Sequence, residues 1–325
     1  MNKKEKNTNI VALRFIAILL VVFGHSIILY DPTWGQFTSS NKIEFLSILK
    51  HIINVIQMPL FFSISGYLFF NTLQYNLSKY NIVFKKFRRL IIPFLFIGTF
   101  YFLPLKYVFK IESFTSNSFL YNFYHNLLLG YGNGHLWYIV TLFIIFTLFT
   151  FTYSNKEHYY IDIFYFLIFV FCNLISYKYV SYLYNTLTYF IYFYIGFMVN
   201  KYKMNKNKSF FNLILAIITI IITNKVPSSD VHLNILKIFL LMTSLMLIYS
   251  VNFSKLSKSK VVNLISEDSF GLYLFHSPLI YISFVYFPNI NPLLLISFNF
   301  IFLGFVALLI TEVLKRTKLK FIIGL

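Results

Sequence analysis

Residues 9–30, NIVALRFIAILLVVFGHSIILY, decide the class of this protein. At 1.5 Å per residue such a helix runs about 33 Å, enough to cross hydrocarbon about 30 Å thick. Lys3, Lys4 and Lys6 precede the stretch as they would a signal peptide. Its length, Arg14 within it, and Asp31-Pro32 where a small-residue cleavage pattern would stand mark a retained membrane helix instead.

The rest of the 325 residues reads the same way. The chain is 58% hydrophobic and 12% charged, with a mean hydropathy of +0.71, against about 45–50% apolar and about 25% charged in soluble domains. Its 42 Phe and 26 Tyr exclude collagenous and disordered classes, and a single cysteine, Cys172, excludes an internal disulfide. Ten windows are apolar enough to cross a bilayer: 10–30, 46–72, 90–108, 133–153, 159–177, 181–200, 210–224, 235–252, 266–287 and 292–313. The expectation is an all-α polytopic membrane protein of about ten transmembrane helices, a single domain over 1–325 with no attached soluble domain.

A formal charge of +18 points to nucleic acid in a soluble chain, but a polytopic chain collects Lys and Arg in its cytoplasmic loops. With the N-terminus inside, 20 of the 28 basic residues fall in inside segments and 7 in outside ones, Lys50 and Lys106 among the latter. Arg14, within a span, is the remaining one. The asymmetry predicts both termini in the cytoplasm and no nucleic-acid partner. The setting it implies is a membrane crossed many times.

Ionisable groups inside a span cost about 2.5–3.5 kcal/mol at the bilayer centre, so each is a candidate for function. Arg14 and His25 are eleven residues apart. Eleven steps of 100° end about 20° past three full turns, which puts both side chains on one helix face about 16 Å apart along the axis. They are expected to look down one cavity, Arg14 near the cytoplasmic end and His25 in the outer half.

This Arg and His on the first helix resemble the signature of acyltransferase family 3, integral-membrane enzymes that O-acylate carbohydrates. Further segments match in order: QMPLFFSISGYLFF (57–70), KKFRRLIIPFL (85–95), GHLWYIVTLF (134–143) and ISEDSFGLYLFHSPLI (265–280). The resemblance implies transfer of an acyl group, usually acetyl from cytoplasmic acetyl-CoA, to a hydroxyl of a cell-surface or lipid-linked glycan. Some relatives are thought to transfer succinyl.

Acyl transfer needs a base for the hydroxyl and donors for the developing oxyanion. His25 is the expected base, because imidazole titrates near neutral pH, and Arg14 the group that orients the thioester or the donor's phosphates. Snorkelling to the headgroups is the competing reading for Arg14, a helix-to-helix hydrogen bond that for His25. In the basic run, Arg88 and Arg89 are donor-site candidates, against simple positive-inside anchoring. Ser65 either donates to a bound acyl carbonyl or serves close helix packing with Ser63 and Gly66. His135 and Trp137 form either a sugar-binding platform or part of an interfacial aromatic belt, and His276 is either a buried structural hydrogen bond or a participant in the site. Ser266, Glu267 and Asp268 read as a helix N-cap with an acidic first turn, and Glu312 as the partner of Lys315. No close metal-ligand spacing occurs, so no metal is expected. A glycan or lipid-linked sugar transporter, with the histidines as a proton relay, and a scaffold whose polar residues only glue helices are the alternatives.

Overall fold

The computed structural model describes residues 8–37, 39–41, 43–75, 77–153, 158–204, 211–227 and 231–325. Of the residues in the charge count, Lys3, Lys4, Lys6, Lys42, Lys156, Lys206 and Lys208 lie outside this set. Most of the described residues are helical, with no strand among them. In chain order the helices are α1 (Thr8–Ser26), α2 (Glu44–Leu73), α3 (Lys79–Val108), α4 (Trp137–Thr152), α5 (Tyr159–Ile175), α6 (Ser181–Lys201), α7 (Phe211–Lys225), α8 (Val231–Ser250), α9 (Lys260–Glu267), α10 (Ser269–Tyr286) and α11 (Pro292–Lys315). Seven are long and apolar enough to cross a membrane: α1, α2, α3, α4 with its leading turn from Gly134, α5 with its trailing turn to Lys178, α8 and α11. This is a multi-pass membrane protein.

The other three expected spans fall on α6, α7 and α10. Helix α7 has 15 residues. Tyr, Ser, Thr, Asn or His side chains dilute α6 and α10, which most of their length keeps buried in the bundle rather than facing outward. Helix α3 begins well before its expected start at residue 90: Ser78 caps it by accepting from the Asn81 amide at 3.3 Å. The KKFRR run is therefore helical, and its spacing separates residues facing the bundle from residues facing away.

Helices α1, α2, α6 and α10 form the centre. Helix α2 runs along α6 with two glycines at the contact. A Cβ on Gly66 would run into the Phe193 carbonyl, and one on Gly196 into the Ser63 carbonyl, so small residues here set the helix spacing. Aromatic rings fill the space on both sides, with Phe69, Phe149, Phe193 and Phe197 all buried. Helices α3 and α11 each contain a π-helical turn, Gly98–Phe102 and Phe298–Leu303.

Candidate active site

Three histidines from three different helical segments meet beside α1. His25 Nδ1 lies 2.9 Å from the Val21 carbonyl oxygen and 3.3 Å from His276 Nε2. A carbonyl only accepts, so His25 carries its proton on Nδ1 and its Nε2 has the lone pair. His276, fully buried on α10, donates from Nδ1 to the Leu272 carbonyl at 2.9 Å. Its Nε2 is thus an acceptor facing the His25 N–H. The two rings stand edge to face, 4.9 Å between centroids.

The third histidine is placed by a proline. Pro278 has no N–H, so the Leu274 carbonyl one turn back on α10 loses its helical donor. His135 Nε2 donates to that oxygen at 3.1 Å, which brings its ring to 5.6 Å from that of His276. His135 Nδ1 is buried with no partner. The loop holding His135 turns through Gly134 at φ +55°, where a Cβ would press on the Phe102 ring at 2.9 Å. His135 is 4% exposed, which corrects the reading of it as part of an interfacial belt.

Two cavities lie along α1. One, of about 320 Å³, is lined by His25, His135, Lys50, Gln57, Trp137 and Tyr273, among others. The other, of about 360 Å³, is lined by Arg14, Ser65, Lys86, Arg89, Tyr138 and Glu267, and again by Tyr273. The expectation that Arg14 and His25 share one cavity is corrected here: Arg14 lines the second and His25 the first. Tyr273 on α10 lines both cavities and Tyr138 on α4 lines the Arg14 one, so these rings stand at the partition between them. Tyr273 donates to the His135 carbonyl, and the Tyr138 ring stands 5.4 Å from it. Ser65 Oγ shares a hydrogen bond of 3.1 Å with the Tyr138 hydroxyl, on the Arg14 side of this partition.

The basic run divides as helix geometry requires. Lys86 and Arg89, three apart on α3, line the Arg14 cavity, and the Lys86 ammonium lies 4.0 Å from the Phe146 centroid. Arg88 and Arg89 are both exposed, and of the two Arg89 lines the cavity while Arg88 does not. Pro93 frees the Arg89 carbonyl, and Gly324, at φ +73°, packs against that oxygen, where a Cβ would collide.

The Ser266–Asp268 stretch is not a side-chain cap. Asp268 occupies the N-cap position of α10 without a capping hydrogen bond and is instead paired with Lys315. Glu312 accepts from the same ammonium at 2.7 Å, as expected. Tyr138 and Tyr273 stand in two of the matched segments, GHLWYIVTLF and ISEDSFGLYLFHSPLI, but in sequence nothing sets their rings apart from the many other aromatics. Lys50 reads in sequence as a loop charge, but i, i+4, i+7 spacing puts Lys50, Asn54 and Gln57 on one face of α2. Among the described residues no group of three or more His, Cys, Asp and Glu side chains is placed to hold a metal ion.

Residues 7–314 match the family model described as "Acyltransferase domain". No curated protein and no solved structure matches the chain.

Proposed function

The chain belongs to this family of acyltransferases, and from that premise we propose that it carries an acyl group across the membrane interior, from a cytoplasmic acyl-CoA to a glycan hydroxyl. The acyl group is acetyl in the first instance, and the acceptor a cell-surface or lipid-linked glycan. The orientation is the one the basic residues favour, ten spanning helices with both termini in the cytoplasm of a bacterial plasma membrane. The Arg14 cavity then opens to the cytoplasm and the histidine cavity to the outer side.

The donor residues fit a phosphorylated thioester. Arg14, Lys86 and Arg89 supply cationic groups to one cavity, and guanidinium grips phosphate bidentately. The Ser65–Tyr138 hydroxyl pair, nearer the partition, supplies hydrogen-bond donors for the acyl carbonyl.

In the transfer, His25 Nε2 takes the proton from the acceptor hydroxyl while its oxygen attacks the thioester carbonyl. The new C–O bond forms and the tetrahedral centre collapses. The C–S bond breaks, and the thiolate recovers a proton from His25. During this cycle His25 carries protons on both nitrogens. The Val21 carbonyl and His276 Nε2 both accept from Nδ1–H, so they orient the base and spread the charge it acquires. The observation that carries this reading is the bare Nε2 of His25, fixed by those two acceptors, in a cavity that meets the Arg14 cavity at Tyr273.

The test is radiolabel transfer from acetyl-CoA to surface glycan in membranes bearing the wild-type protein or His25→Ala, with mass spectrometry of the glycan. A loss of about 10²–10⁴-fold is expected for removal of a general base. Unchanged acylation in His25→Ala overturns the assignment, and movement of intact glycan without consumption of acetyl-CoA favours a transporter.

A further inference from the structure

The cavity beside His25 contains a cation that acyl transfer does not use. Lys50 on α2 is 3% exposed and lines that cavity. Its ammonium donates to Asn54 Oδ1, and among the described residues no carboxylate lies within 4.0 Å of it. Asp31, near that end of α2, is already held, accepting from the Thr33 amide and hydroxyl and standing 3.7 Å from His51 Nε2. The Lys50 ammonium is thus buried with a neutral amide as its hydrogen-bond partner and only the attraction of Asp31 from beyond 4.0 Å, so an anionic ligand in the cavity stabilises it further.

Around it is a built subsite. Gln57 Nε2 donates to the same Asn54 oxygen at 2.8 Å. Gln57 is 6% exposed, and its Oε1 has no hydrogen-bond partner. Lys50 and Gln57 lie against Gly24, the residue before His25. A Cβ there would come within 3.0 Å of Gln57 Oε1 and 3.6 Å of Lys50 Nζ. Trp137 and Tyr189, with ring centroids 5.2 Å apart, line the same cavity and offer an aromatic face to a sugar ring.

We propose that this is the acceptor subsite and that it selects an acidic glycan, whose carboxylate or phosphate sits on the Lys50 ammonium while a nearby hydroxyl faces His25. Gln57 takes a hydrogen bond from a second hydroxyl of the same sugar. The inference rests on the acyl-transfer reading for which hydroxyl reacts, but not for binding itself.

The purified full-length protein carrying Trp34→Phe, so that Trp137 is the one tryptophan reporting, is titrated without any acyl donor. The probes are methyl β-D-glucuronide, glucose 1-phosphate and the neutral methyl β-D-glucoside. The expected result is a Kd at least about tenfold lower for one or both acidic probes, as one charge-assisted hydrogen bond gives. The better of the two identifies the anion as carboxylate or phosphate. Lys50→Met abolishes the preference and leaves the glucoside Kd within about twofold, while Lys50→Arg keeps it. Equal affinity of the Lys50-containing protein for acidic and neutral probes overturns the proposal, whether or not Lys50→Met folds. So does equal weakening of all probes in a folded Lys50→Met. Adding acetyl-CoA separates the two readings: acidic preference without any transfer refutes acyl transfer and leaves the subsite standing.

Discussion

His25 Nδ1 stands 3.3 Å from His276 Nε2, so the expected base is backed by a second imidazole and the Val21 carbonyl rather than by a carboxylate. An imidazole acceptor orients its neighbour but offers less charge stabilisation than an anion. His276→Ala is therefore expected to lower kcat by about ten- to a hundredfold with KM for acyl-CoA little changed, the scale seen when the group supporting a functional histidine is lost. His276→Gln, which can place an amide oxygen toward the same N–H, should recover part of the loss. Steady-state kinetics on the three proteins checks this.

The position of His135 depends on a missing hydrogen bond. Pro278→Ala returns an N–H to α10 within reach of the Leu274 carbonyl, which then competes with His135 Nε2 for that oxygen. The expected outcome is a melting temperature equal to or above wild type and a several-fold lower transfer rate. The two quantities move apart, which a merely destabilising substitution would not produce.

Arg89 and Arg88 are neighbours in sequence and differ in position. Arg89→Ala should raise KM for acyl-CoA by about 10- to 100-fold, the loss of one charged hydrogen bond to phosphate. Arg88→Ala should leave it within about twofold. A reversed order would put the donor elsewhere.

Gly66→Ala tests the fold rather than the chemistry. The new methyl meets the Phe193 carbonyl, which belongs to the α6 backbone and yields only if the helices part. Overpacking of this kind costs about 1–3 kcal/mol, and more where backbone must move. Size-exclusion profile and thermal melt in detergent should both deteriorate, with the Gly196→Ala protein behaving alike because it meets α2 from the other side.

Much of this was legible from one helix. Apolar run lengths marked the seven helices long and apolar enough to cross a membrane, and the Arg14–His25 spacing marked α1 as a helix that lines two cavities. What the sequence could not show was depth and separation. Two residues that helical spacing puts on one face of α1 line different cavities, which share Tyr273 from a helix far away in sequence. The link from His135 to α10 passes through a carbonyl that Pro278 frees, and a backbone acceptor leaves no side-chain signal. Lys50 looks like a topological charge in sequence, and it is the α2 helix that places it, with Gln57, against Gly24.

Tyr273 lines both cavities, and its hydroxyl is fixed on the His135 carbonyl. If it is the partition between donor and acceptor, its ring keeps water at the histidine side away from the thioester, while its hydroxyl only anchors the ring. Tyr273→Phe should then retain most of the transfer rate, with a loss of severalfold for one hydrogen bond. Tyr273→Ala should open one cavity into the other. Water then competes with the glycan as acceptor, so acetyl-CoA hydrolysis measured without glycan rises above wild type while transfer falls. The pair of rates is the readout, because collapse of the site lowers both. An alanine protein that folds, as judged by its melt, and shows no increase in hydrolysis would mean that the two cavities are divided elsewhere, at Tyr138 and the Phe61–Phe62 rings that pack against it.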